Sequence, residues 1–256
     1  MKYTRLIVCA VAACALLGTA VPSQAVDVTV DAAIANGFMN VFNLPVGTYP
    51  TDLGDFQFAS GWGFGDLVAS FADPVLTLAP NNIGDPNEYW YQNTSGTAPD
   101  PVFPGGPGQM GNKIMNANAY AEVLDGSLAG QTLTFSGIVI SDTLSLANNP
   151  GNTDLNGNGW TIQAFIKDFA PGFGTPEVQY VDLPASGNFS VSLPLINDPA
   201  RPVQYGFEVT GPNVWAGDEI TFGYGNAVIT AIPEPGTMVL LALGAARLAV
   251  RRRRSA

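Results

Sequence analysis

The stretch Gln131-Thr-Leu-Thr-Phe-Ser-Gly-Ile-Val-Ile140 alternates polar and apolar residues and then turns wholly apolar. Alternation puts successive side chains on opposite faces of a strand, and the apolar end reads as a central strand of a sheet. The period of two recurs further along the chain. Gly187-Asn-Phe-Ser-Val-Ser-Leu193 sets Phe189, Val191 and Leu193 against Ser190 and Ser192. Trp160-Thr-Ile-Gln-Ala-Phe-Ile166 puts Trp160, Ile162, Ala164 and Ile166 on one side, and Val203-Gln-Tyr-Gly-Phe-Glu-Val209 does the same with its odd positions. Shorter candidate strands cover 28–32, 55–59, 75–78, 88–91, 120–124, 178–183 and 226–232, separated by turns rich in Gly, Pro, Asn and Asp. The stretch 94–110 holds too much Gly and Pro for an element and reads as a long surface loop. No stretch of the body keeps a helical period. The pattern predicts an all-β fold, a two-sheet antiparallel β-sandwich of jelly-roll type.

Composition agrees. The 256 residues include 29 Gly and 20 Pro, with 46% hydrophobic and only 12% charged residues. That much apolar residue argues against disorder, and that much Gly and Pro against a helical protein. There is no histidine, which removes Ser-His-Asp and Cys-His nucleophile pairs and every His-ligated metal site. The two cysteines, Cys9 and Cys14, both lie in the apolar N-terminal segment.

Residues 1–25 read as a signal peptide: Lys2 and Arg5 open it, an apolar run follows, and Ser23-Gln24-Ala25 suits a signal peptidase cutting after Ala25. A lipoprotein reading at Val11-Ala12-Ala13-Cys14 would leave apolar residues 15–21 where a polar tether belongs. At the other end, Pro233-Glu234-Pro235 precedes an apolar stretch over 236–250 and the cluster Arg251-Arg252-Arg253-Arg254. These parts, residues 233–256, resemble the PEP-CTERM sorting signal of Gram-negative bacteria that secrete exopolysaccharide. The resemblance implies recognition and processing by an exosortase. A helix of that length rises about 22 Å, short of a hydrocarbon core of about 30 Å, and Arg247 interrupts it. The arginines hold that end inside. We read a transient inner-membrane span, with export across the inner membrane to the cell surface or extracellular matrix; a permanent anchor is the alternative.

Between the signals lies one domain, residues 26–232 with its core at about 50–232. It carries 20 Asp or Glu against three basic residues, Lys113, Lys167 and Arg201, for a net charge near −17. Such a surface repels nucleic acid and anionic membranes, attracts cations and keeps an exported protein soluble. The strand pattern also resembles the galactose-binding-like jelly rolls of carbohydrate-binding modules. The likeness rests on Asp55-Phe56-Gln57 leading to Trp62, on Tyr120-Ala-Glu-Val123, and on Leu128-Ala-Gly-Gln-Thr-Leu-Thr-Phe-Ser-Gly137.

Aromatic residues supply the candidate sugar site. Pyranose C–H faces stack on rings while hydroxyls need directional polar partners. Tyr89-Trp90-Tyr91 sits among Asp85, Asn87, Glu88 and Gln92, and at least one of its rings must point away from the core. Trp62 and Trp160 lie beside glycines near loop–strand junctions. The expected ligand-binding set is Trp62, Glu88, Tyr89, Trp90, Tyr91 and Trp160, against the plainer reading of ordinary sandwich core. Asp154-Leu-Asn156-Gly-Asn158-Gly159 fits the first half of a calcium loop, with oxygens at alternate positions and a glycine at the turn. The closing glutamate is absent, since Phe165 stands there, so a polar hairpin loop fits equally. Asp142 or Asp168 could complete a structural calcium site. Gly106-Pro-Gly108-Gln-Met-Gly111 has dinucleotide-loop spacing but contains a proline and lacks a strand and helix around it.

No alternating carboxylate strand of the glucanase kind and no nucleophile elbow is present, so no enzyme is expected. The sequence reads as an exported, exosortase-sorted surface or matrix protein with a structural or adhesive role involving polysaccharide. A dedicated carbohydrate-binding module and, further off, a polysaccharide-acting hydrolase or lyase are the alternatives.

Overall fold

A computed structural model describes residues 24–45, 49–84, 111–147 and 159–231. The N-terminal half contributes β1 (Ala25–Thr29), β2 (Asn36–Asn43), β3 (Phe56–Gly63), β4 (Ala69–Ala72), β5 (Val75–Leu78) and β6 (Asn82–Ile83). Then come β7 (Lys113–Val123), β8 (Thr132–Asp142), β9 (Thr161–Phe169), β10 (Pro176–Asp182) and β11 (Gly187–Pro194). The chain continues through β12 (Val203–Pro212), β13 (Val214–Trp215), the helix α1 (Ala216–Phe222) and β14 (Ala227–Thr230).

Two six-stranded sheets face each other. The first is built on β8, the stretch singled out from the sequence. One edge of β8 pairs with β11, from Gly187 opposite Val139 to Pro194 opposite Thr132. Its other edge is shared end to end by β1, which is parallel, and β14, which is antiparallel, with β5 and β4 beyond β14. The second sheet runs β10-β9-β12-β7-β2-β3, antiparallel throughout. The chain crosses between the sheets from β7 to β8, β8 to β9, β10 to β11 and β11 to β12, a jelly-roll-like alternation. The sandwich is therefore antiparallel except for β1 on β8 and the small pair β6 and β13. A parallel neighbour needs a long connection, and about a hundred residues separate β1 from β8.

Period-two patterning explains the core. From the second sheet, Met39, Val41, Ala117, Ala119, Ala121, Ile162, Ala164, Ile166, Val203, Tyr205, Phe207 and Val209 point inward. They meet Leu76, Leu78, Leu133, Phe135, Val139, Phe189, Val191 and Ile229 of the first. Phe135 sits at the centre, its ring 5.5 Å from Phe189, 5.4 Å from Tyr205 and 5.2 Å from Phe207, edge-on or tilted. Such contacts add to area burial. A smaller cluster gathers Leu44, Tyr49, Ile114, Leu146, Val214 and Tyr224, and Trp160 packs against both clusters.

Five of these elements were not expected from the sequence: β2, the short β4, β6 and β13, and α1. β2 was not expected because Asn36-Gly-Phe-Met-Asn-Val-Phe-Asn43 carries apolar residues on both faces, so no alternation shows. It brings the N-terminal residues before position 50 into the second sheet, as β1 does for the first. The body also contains a helix, contrary to expectation: α1 is two turns long, includes Gly217 and buries only Asp218, so it has no apolar stripe to read. Asp218 and Glu219 stand in its first turn.

Candidate functional site

The core-facing residues of the second sheet are apolar, with the buried Asp168 at the end of β9 an exception, and their neighbours in sequence face outward on the opposite side. Along β7 these are Asn116, Asn118, Tyr120 and Glu122, spaced by the core alanines. β12 adds Gln204, Gly206, Glu208 and Thr210, β9 adds Phe165, Lys167 and Phe169, and β10 adds Val178 and Tyr180. Instead of lying flat in solvent, this face holds a cleft of about 570 Å³. Its walls are Phe38, Asn40, Asn118, Tyr120, Glu122, Lys167, Phe169, Phe173, Pro176, Val178, Tyr180 and Gln204. Gly206 keeps the floor low beside Tyr120, since a Cβ there would run into the Ala119 carbonyl.

Hydrogen bonds lace the floor across strands. Asn40 donates to the Asn116 Oδ1 at 3.0 Å, Asn116 to the Thr210 hydroxyl at 2.8 Å, and Asn118 to the Asn116 Oδ1 at 2.9 Å. Lys167 donates to the Asn118 Oδ1 at 2.6 Å and approaches the Glu208 carboxylate at 3.4 Å, which Tyr180 also reaches through its hydroxyl at 3.5 Å. Gln204 donates to Glu122 at 2.7 Å. Asn116, Asn118, Gln204 and Thr210 are buried although they face outward. Buried polar groups with their partners satisfied make a rigid, specific surface. The Lys167 ammonium lies 4.0 Å from the centre of the Phe165 ring. Burial pulls its pKa down, and the nearby Glu208 opposes that shift. Burial pushes the Tyr180 hydroxyl well up, helped by the Glu208 charge, and Tyr120 shifts the same way through burial and Glu122. Both phenols therefore stay protonated donors at neutral pH.

Of the residues marked from the sequence, Trp62 and Trp160 fall within the described residues. Trp62 lies elsewhere, on a separate cavity of about 110 Å³ with Met39, Val41, Phe58, Asp66, Asn81, Asn82 and Met115. Its indole N–H is buried without a hydrogen-bond partner. Trp160 packs in the core, with its N–H donating to the Pro212 carbonyl at 3.1 Å and its ring 5.5 Å from Tyr224. Glu88, Tyr89, Trp90 and Tyr91 lie outside the described residues, as do Asp154, Asn156 and Asn158. Of the carboxylates offered to that loop, Asp168 accepts from Arg201 at 2.7 Å and from the Ile196 N–H at 2.8 Å, and Asp142 accepts from the Leu144 N–H at 3.1 Å. Among the described residues no three His, Cys, Asp or Glu gather where they could hold a metal ion, and no helix is long and apolar enough to cross a membrane.

The C-terminal signal is decided by comparison. The last strand among the described residues, β14, ends at Thr230, and a family model matches from the next residue. Residues 231–254 match the PEP-CTERM protein-sorting motif. The motif contains Pro233, Glu234, Pro235 and Arg251, Arg252, Arg253 and Arg254, all outside the described residues. PEP-CTERM sorting implies export, processing by an exosortase and delivery to a surface or membrane-associated location. None of the curated proteins compared with the chain matches it. Among solved structures, one from work on the promiscuous specificity of carbohydrate-binding modules of the β-sandwich superfamily is similar at 13% identity and a TM-score of 0.30. The match covers 77% of this chain and 82% of that one.

Sequence reasoning missed the cleft residues Asn40, Asn118, Tyr120, Glu122, Lys167, Tyr180 and Gln204. One signal was available in Asn116-Ala-Asn-Ala-Tyr-Ala-Glu122, where every outward residue can hydrogen-bond and every inward one is alanine.

Proposed function

We propose that this exported, exosortase-processed protein serves at the cell surface or in the exopolysaccharide matrix as a non-catalytic, adhesive component, and that its cleft on the second sheet holds a polysaccharide chain. The observation that carries the reading is the make-up of the cleft. The Tyr120 and Tyr180 rings and the Phe38 and Phe169 rings offer stacking faces beside a fixed row of amide and carboxylate groups. A volume of about 570 Å³ lies within the range of small-ligand sites, and an open trough admits a chain passing through. Because the row is held by its own hydrogen bonds, binding orders few side chains, which favours affinity.

Carboxylate placement supports a non-catalytic role. Glu208 stands opposite Asn118, and Glu122 opposite Gln204, so the two glutamates are offset by four residues along neighbouring strands. That is a backbone offset of about 13 Å along the strands, and the two side chains turn to different partners rather than toward one another. Each carboxylate is also engaged by a neighbour, Glu122 by Gln204 and Glu208 by Lys167.

The test is a titration of the full chain, kept in a mild neutral detergent, against polysaccharide purified from the producing organism. Saturable binding that Tyr180→Ala or Gln204→Ala weakens at least tenfold, with the melting temperature kept, supports the cleft. Binding that neither change affects, or no binding, refutes it. Reducing-sugar release abolished by Glu122→Gln would move the protein to the hydrolases.

A further inference from the structure

The cleft, read as a glycan site, also specifies the charge of its ligand. We infer that it takes a glycan of uncharged or amine-bearing sugars and turns away uronic acids and other anionic sugars. The inference rests on the proposed function and on where the chain has put its cations. Residues 26–232 hold three basic side chains, and all three are internal. Lys113 is fully buried, with its ammonium on the Asn112 side chain. Arg201 closes on the buried Asp168 carboxylate at 2.7 Å. Lys167 alone reaches the cleft, and there it is committed to Asn118, Glu208 and the Phe165 ring.

Against that one committed cation stand two carboxylates, Glu122 in the cleft wall and Glu208 beside the wall residues Lys167 and Tyr180. Glu122 and Glu208 each give one oxygen to a neighbour, leaving the other to accept from a ligand. A sugar hydroxyl or ammonium can donate to those oxygens; a ligand carboxylate has no proton to give and meets like charge at short range. Elsewhere the domain holds only Lys113 and Arg201 against its many other carboxylates, so the field outside repels a polyanion before it arrives.

The test is a glycan array read with the full chain in neutral detergent. It carries matched pairs of uronate hexamers and the same hexamers with their carboxylates reduced to alcohols, together with glucosamine hexamers. Within each pair only the carboxylate changes, to an uncharged hydroxymethyl that can donate a hydrogen bond. Binding is expected among reduced and glucosamine members, at least tenfold tighter than to the matching uronate at low salt, and the gap narrows as salt screens it. Glu122→Gln is expected to shrink the ratio several-fold. A uronate bound as tightly as its reduced partner, with Tyr180→Ala removing both, overturns the charge inference and leaves the cleft standing. No binding by any member, or binding indifferent to Tyr180→Ala, overturns the cleft reading and this inference with it.

Discussion

Removing Arg201 isolates what one internal ion pair contributes to the end of the sandwich that carries Lys167. Asp168 follows Lys167 on β9 and points the other way, with its side chain 1% exposed. Its Oδ1 accepts from the Arg201 Nε at 2.7 Å, and its Oδ2 accepts from the Ile196 N–H at 2.8 Å. The Arg201 guanidinium also donates to the Asp168 backbone carbonyl at 2.7 Å, so the 195–202 connection is pinned to the end of β9. Arg201→Met keeps most of the stem and leaves a buried carboxylate without its counter-charge. Breaking such a pair costs about 3–5 kcal/mol. The arginine side chain is 10% exposed, so water can reach the gap, and we place the loss near the lower bound at about 3 kcal/mol. For a domain of this size that lowers the melting temperature by about 6–12 °C. The assay is reversible urea unfolding followed by tryptophan fluorescence, with Asp168→Asn added as a second change. Neutralising the stranded carboxylate should restore at least half of the loss. A single variant that loses under about 1 kcal/mol, or a double variant no more stable than the single, would refute the reasoning.

Burial lowers the Lys113 pKa from the ordinary 10.5 to about 8, so above pH 8 the folded chain has released a proton that the unfolded chain still binds. Stability should therefore rise with pH from about 8 toward 10, by up to roughly 3 kcal/mol, and Lys113→Met should flatten that rise in a series of melting curves. Above about pH 10 the raised pKa values of Tyr49 and Tyr180 reverse the sign, because unfolded tyrosines ionise first and stability falls. Trp160→Ala should cost about 3 kcal/mol in urea unfolding, through its contacts with Tyr224 and Pro212, while leaving glycan affinity of the folded fraction unchanged. If the loop at Asp154, Asn156 and Asn158 holds structural calcium, EDTA should lower the melting temperature and Asp154→Ala should abolish that response; an unchanged melt removes the calcium proposal.

Most of the sandwich was legible because its buried faces follow the pleat. β5 occupies the expected residues, and β8 to β12 fall within a few residues of their expected bounds. Where both faces of a strand are apolar, as in β2, the period of two vanishes and the strand goes unseen. α1 was hidden for a related reason: two turns with one buried residue leave no periodic stripe. Pairing was less accessible still. That β1 and β14 share one edge of β8 depends on contacts about a hundred residues apart, which no local pattern encodes.

The cleft escaped notice because an outward polar residue in a strand reads as solvated. What separates Asn118 or Gln204 from a solubilising residue is burial on the outer face, a property of neighbouring strands. The two outer faces of the sandwich make the contrast. Over β8 and β11 the first sheet presents Thr134, Ser190 and Ser192, short hydroxyls, with Ser190 and Ser192 exposed. Over β7, β12 and β9 the second sheet presents amides, two carboxylates, a lysine and tyrosines, with Asn116, Asn118, Lys167, Glu208 and Tyr180 tied into one group and Gln204 and Glu122 into another. Solubility needs only the first arrangement. Burying polar groups costs free energy unless each finds a partner, and even a satisfied network is no more stabilising than apolar packing of the same shape. A domain with one aromatic core already in place has no stability reason to build a second, polar one on its outside. The proposed glycan supplies a reason, as the ligand that would read the fixed row of donors and acceptors.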